Sequence, residues 1–173
     1  MSILGEDKIK HMHAVAEFMY RKAPSYGLDP DEMYIIGLLH DIGYVHGPSG
    51  HPMHGARMLG KITESFNEAC NLIAAHGMSP SEYRERTGEK TIPRALILLW
   101  EADMRIGCAG ETMTYAERIT DIERRYGSGS DQYRNAKQIT DYLIGTVRTD
   151  FEEVEDGNYS ENTDGHGTRS NAG

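Results

Sequence analysis

From about Gly5 to Lys22 the chain places Ile9, Met12, Val15, Ala16 and Met19 at three- and four-residue steps among charged positions, the stripe of an amphipathic helix. The next apolar run opens with a start signal: Asp29 as N-cap, Pro30 at the first helical position, Asp31 and Glu32 in the first turn. It carries Met33, Ile35, Ile36, Leu38 and Leu39 to about Ile42, where Gly43 offers a left-handed ending. Being apolar on most sides, this helix is expected at the centre of the fold. A loop rich in Gly, Pro and His follows, GYVHGPSGHP. Beyond it, periodicity predicts helices over about 52–62, 65–76, 80–87, 92–106, 113–126 and 129–148, with starts at Ser79-Pro80, Thr91-Ile92-Pro93 and Ser130-Asp131. No period-two alternation bounded by turn residues stands out, so strands are expected to be few or absent. The expectation is an all-α fold, a single-domain bundle of about six to eight helices.

The 173 residues suit one domain, and 38% hydrophobic content is enough for one core. Net charge is −9, of which −6 lies between Asp150 and Gly173. Residues 1–149 are therefore read as the folded domain and 150–173 as a disordered acidic tail rich in Gly, Asn and Ser. An acidic chain argues against a nucleic-acid duplex as partner. The folded part is only mildly acidic, so an anionic small substrate remains compatible with it. Cys70 and Cys108 are too few for a disulfide scaffold. The N-terminus turns charged after four residues, unlike a signal peptide, and the apolar stretch Ala95–Trp100 is far short of a membrane span. A cytoplasmic protein with no membrane partner is expected.

Seven of the eight histidines fall between His11 and His76. His11 and His13 are two apart on a helix and so point to opposite sides; His11 shares its side with Val15 and Met19, which makes it the inward one. His40-Asp41 ends the most apolar helix. Adjacent helical residues point roughly 100° apart, so the two flank an ion only near a helix terminus. An isolated His-Asp pair is more often a satisfied buried hydrogen bond than a ligand pair. His51 and His54 are three apart in HPMHGA, His76 ends a helix in LIAAHG, and Asp103 interrupts the apolar run LILLWEADMRIG. A carboxylate there needs a partner: a metal, Arg105 or a histidine.

The ordered set His11, His40-Asp41 in LLHDIGY and Asp103 in EADMRIG, with His51 and His76 inserted before the last Asp, resembles the HD-domain (HDIG-type) metal-dependent phosphohydrolases over about residues 5–126. The resemblance implies an HD-type helical bundle and two divalent transition-metal ions (Fe, Mn, Zn or Ni), with no organic cofactor. It implies that Asp41 is the catalytic centrepiece bridging the ions. His11, His40 and Asp103 would complete one ion, and His51 and His76 would hold the other, with His54 an alternative to His51. The implied activity is hydrolysis of a phosphate ester or anhydride of a nucleotide or other small phosphorylated metabolite by a metal-activated water. Arg57 and Arg105, close in sequence to these ligands, are candidates for binding substrate phosphate, or equally for ordinary surface charges. Tyr44 stands where many relatives place Lys, and His76 lacks a Lys four residues on. The second departure disfavours a di-iron oxygenase of the same fold, which remains the alternative enzyme; a non-catalytic regulatory HD protein is the alternative without chemistry.

Overall fold

The computed structural model describes residues 4–62 and 67–156. Among them the chain forms α1 (Glu6–Lys22), α2 (Pro30–Leu39), α3 (His51–Gly60), α4 (Asn67–Ala75), α5 (Pro80–Thr87), α6 (Arg94–Arg105), α7 (Tyr115–Tyr126) and α8 (Asp131–Asp156). Short 3-10 turns lie at Ala23–Tyr26 and Ile42–His46, and the sole extended pairing among these residues is an antiparallel bridge between Ile106 and Thr112. The protein is all-α, as its periodicity predicts. No described helix is long and apolar enough to cross a membrane.

Three of the four expected helix starts are capped by the residue the sequence offers; at Thr91-Ile92-Pro93 the helix begins at Arg94, and its N-cap Pro93 makes no side-chain bond. Asp29 accepts from the Glu32 amide at 2.9 Å, Ser79 from the Glu82 amide at 3.3 Å, and Ser130 from the Tyr133 amide at 3.1 Å. Thr114 and Glu117 form a reciprocal capping box at the start of α7. The last helix runs on to Asp156, into the segment read as tail; residues 157–173 lie outside the described residues.

The centre of the fold is α6, not α2. Ala95 to Trp100 are all buried, with Ala102 and Met104 beyond them, and they meet Val15, Met19, Met33, Ile36 and Leu143 in one core. A smaller cluster of Ala56, Leu59, Cys70 and Ile73 joins α3 to α4. Helix α2 leaves Ile35 42% exposed, because its core side is narrow: it packs on α1 through Gly37 rather than being surrounded. A Cβ at Gly37 would lie 2.8 Å from the Ala16 Cα, so the two backbones touch at this pair. With His11 beside His40 and Ala16 beside Gly37, α1 and α2 run antiparallel.

Helix α2 also ends earlier than its apolar run, at Leu39. Gly43 does not adopt a left-handed conformation; it is needed for space. A Cβ there would overlap the His51 carbonyl oxygen and the Gly55 amide nitrogen, so the start of α3 docks directly on the Gly43 backbone. That contact brings α3 back beside His40 and Asp41 after a short loop. Gly43→Ala is accordingly expected to cost about 1–3 kcal/mol through overpacking, or about 2–10 °C in melting temperature by thermal denaturation. Gly60→Ala, at the far end of α3, meets only the Cys70 sulfur at 3.8 Å and is expected to leave the melting temperature nearly unchanged.

Candidate metal centre

Four imidazoles and two carboxylates meet where α1, the α2–α3 connection, the end of α4 and α6 converge. His11 and His40 are 1% and 0% exposed, and Asp41 and His76 are 4% exposed. Each histidine turns its Nδ1 to a backbone carbonyl: His11 to Gly107 at 2.9 Å, His40 to Gly37 at 2.7 Å, His51 to Pro48 at 2.9 Å and His76 to Ile73 at 2.6 Å. A carbonyl only accepts, so every Nδ1 carries a hydrogen and every neutral ring presents a bare lone pair at Nε2.

Those Nε2 atoms face one another and the carboxylates. The His51 and His76 Nε2 atoms are 3.2 Å apart, and His40 Nε2 is buried with no hydrogen-bond partner. Two neutral rings so oriented repel unless a proton or a metal ion lies between them. Asp41 stands in the middle: its Oδ1 is 3.0 Å from His51 Nε2 and 3.5 Å from His76 Nε2. Its Oδ2 is 3.4 Å from His40 Nε2 and 3.6 Å from His11 Nε2. Asp103 Oδ1 closes the second side, 3.2 Å from His11 Nε2 and 4.0 Å from His40 Nε2. Donor atoms of His11, His40 and Asp103, and separately of His40, Asp41 and His76, lie within 4.8 Å of one another. Nitrogen lone pairs and carboxylate oxygens in this mixture suit Zn, Fe, Mn or Ni, and the carbonyl-held Nδ1 groups orient such ligands. The residues fit a metal centre.

The electrostatics follow from the crowding. Burial pushes the Asp41 carboxyl upward, but the positive potential of His40 and contacts with His51 and His76 outweigh it and hold the group well below the usual range. Asp103 behaves likewise: against burial, the His11 contact and the Arg118 charge keep it ionised. Burial depresses His40, yet Asp41 and Asp103 together raise it above an ordinary histidine, whereas for His76 burial prevails and lowers it.

Three cations surround the same cavity. Lys8 Nζ lies 2.7 Å from Asp41 Oδ2 and 3.9 Å above the Tyr44 ring. Arg118 donates to the Asp103 carbonyl at 3.1 Å and to its Oδ1 at 3.3 Å. Arg125 lines the cavity while donating to Asp121 at 3.0 Å. Burial and the Asp41 charge raise the Tyr44 phenol, so it stays protonated.

The structure gathers His11, His40, Asp41, His51, His76 and Asp103 into this cluster. His13 is exposed, as its position opposite His11 requires. His54 lies elsewhere: its ring packs edge-on against His46 at 5.4 Å, beside Arg57 and Lys61 in a separate shallow pocket. The two arginines read as phosphate binders are not on the wall of the cavity. Arg105 is two residues past Asp103 on α6, roughly 200° around the helix, and stacks its guanidinium 5.3 Å from the Tyr115 ring centre. Arg57 is six past His51 on α3, roughly 240° around, and faces the His54 pocket. Helix phase, not closeness in sequence, decides which side chains face the cavity. Phase does mark the side chains that face the site: Lys8 is three before His11, and Arg118, Ile122 and Arg125 form one stripe of α7.

Comparison with protein families gives an HD domain over residues 9–104, a span that contains all six clustered residues. No solved structure gives a significant match to the chain. The match spans more than half of the chain, and with the buried His/Asp cluster at its centre it makes this chain a member of the HD-domain family, a superfamily composed mostly of metal-dependent hydrolases.

Proposed function

We propose that this protein is a metal-dependent phosphohydrolase that holds two divalent transition-metal ions and cleaves a phosphate ester. The observation that carries the reading is the division of histidines across Asp41: two face Oδ1 and two face Oδ2. Asp41 would then bridge the ions, with His11, His40 and Asp103 on one and His51 and His76 on the other. Bound there, the ions would supply a water acidified toward neutral pH and neutralise charge growing on a phosphoryl group.

The remaining work falls to the chain. Asp41 and Asp103 keep their charge despite burial, so they offer oxygen lone pairs without first losing a proton. Arg118 is already engaged with Asp103, Cys108 and Asp121, which makes it a positioning residue for the Asp103 carboxylate rather than a substrate binder. Lys8 and Arg125 retain unused N–H donors at the cavity. They favour a dianionic substrate group over a neutral one, which is what selects phosphate esters among hydrolase substrates.

Elemental analysis of the purified protein, reloaded with Mn, Fe, Ni or Zn if needed, is expected to give about two ions per chain and metal-dependent cleavage of p-nitrophenyl phosphate. Asp41→Ala should lose both ions and about 10³-fold in rate. His51→Ala should lose about one ion and His54→Ala none; the reverse pattern would exchange their roles. Arg118→Met should lower metal affinity or turnover by about 10–100-fold without unfolding the chain, as seen by circular dichroism.

A further inference from the structure

The family match stops at residue 104, yet the cavity does not. Its remaining wall is built by Ile122, Arg125 and Tyr126 of α7 and by Gln132, Asn135 and Ile139 of α8. On α8 these three lie at steps of three and four, one face of the helix turned to the site. The helix is fastened there: Asn135 Nδ2 donates to the Gly77 carbonyl at 3.0 Å, next to His76, and to Glu82 at 3.3 Å. The amide's donors are thus spent and its Oδ1 is the atom left to accept. Gln132 makes no hydrogen bond to any described residue, so both ends of its amide are available. Tyr126 faces the same cavity as Tyr44, which lies in the turn that follows Asp41.

The inner space is small and open to solvent, with Gln132 and Tyr126 exposed at its wall. A cavity of about 130 Å³ has room for roughly ten waters, below the range of about 300–1,000 Å³ typical of pockets that swallow a drug-sized ligand. A phosphate between Lys8 and Arg125 leaves space for only a few further heavy atoms before the apolar side chains of Ile122 and Ile139, and a larger leaving group has to extend past the exposed Gln132 and Tyr126 into solvent.

Resting on the phosphohydrolase reading, we propose that α7 and α8 form the substrate-selecting wall, and that the substrate is a compact phosphomonoester with a short hydroxyl- or amine-bearing leaving group rather than a nucleotide. Arg125 contacts the phosphate, and the Gln132 and Asn135 amides accept hydrogen bonds from the leaving group. In the reaction a water oxygen forms the new bond to phosphorus and the bond from phosphorus to the leaving oxygen breaks. That oxygen takes up a proton, giving an alcohol and inorganic phosphate.

The test uses the full chain reloaded with metal and compares glycerol 3-phosphate, phosphoethanolamine, adenosine monophosphate and p-nitrophenyl phosphate. At least one of the two compact esters is expected to exceed adenosine monophosphate in kcat/KM by at least about tenfold. Gln132→Ala should keep its metal content and lower the ratio of compact-ester to p-nitrophenyl phosphate turnover by about fivefold or more. Tyr126→Ala, which opens the wall, should raise relative activity on adenosine monophosphate. Adenosine monophosphate cleaved as fast as the compact esters, or a Gln132→Ala ratio equal to wild type, would overturn the proposal while leaving the hydrolase intact. If no ester is cleaved, p-nitrophenyl phosphate included, the phosphohydrolase reading itself fails. Calorimetry then reads the wall alone: glycerol 3-phosphate binding more tightly than adenosine monophosphate supports a compact ligand, and the opposite order removes it.

Discussion

A carboxylate as deeply buried as that of Asp41, 4% exposed, survives only inside a shell of positive charge. Every local feature of the site serves that requirement. Four histidines point their Nε2 atoms at one another, an arrangement that neutral rings alone do not tolerate, and backbone carbonyls lock each ring so that it cannot turn away. Lys8 supplies a full charge at 2.7 Å. The close backbone contacts at Gly37 and Gly43 are what hold α1, α2 and α3 near enough for this convergence. The site is therefore assembled by packing, and its polarity is completed by cations.

Much of this was legible in the chain. Helix positions followed from three- and four-residue periodicity, because surface helices must separate an apolar face from a polar one. The inward choice of His11 over His13 followed from the same geometry, and the ordered His and Asp positions carried the family resemblance that residues 9–104 confirm. What sequence proximity could not give was the direction of side chains beyond the motif. Arg57 and Arg105 were attractive because they sit near ligand positions, but helix phase turns both away. The apolar character of α2 suggested a central helix. The small Gly37 surface instead lets it pack most closely on α1, while α6 takes the middle.

The division between the matched core and the rest of the chain has a physical meaning. The first six helices hold the His/Asp cluster, whereas α7 and α8 close over it with Arg118 on Asp103 and Asn135 on the loop after His76. Arg118 is 6% exposed and couples that closing layer to the site through a charged hydrogen bond. A change of the outer wall can therefore alter what the cavity admits without rebuilding the centre. Gly77 and Asp103 are two of the points where the layers meet; Glu82 on Asn135 and Leu143 in the shared core are others.

Asp41 as a bridge between two ions is the claim on which the rest of the functional account stands. Anomalous diffraction from crystals of the metal-loaded protein tests it most directly. The account predicts two peaks on opposite sides of the Asp41 carboxylate, one beside His11, His40 and Asp103 and one beside His51 and His76. No peak at Asp41, or an ion held instead by His46 and His54, would contradict it.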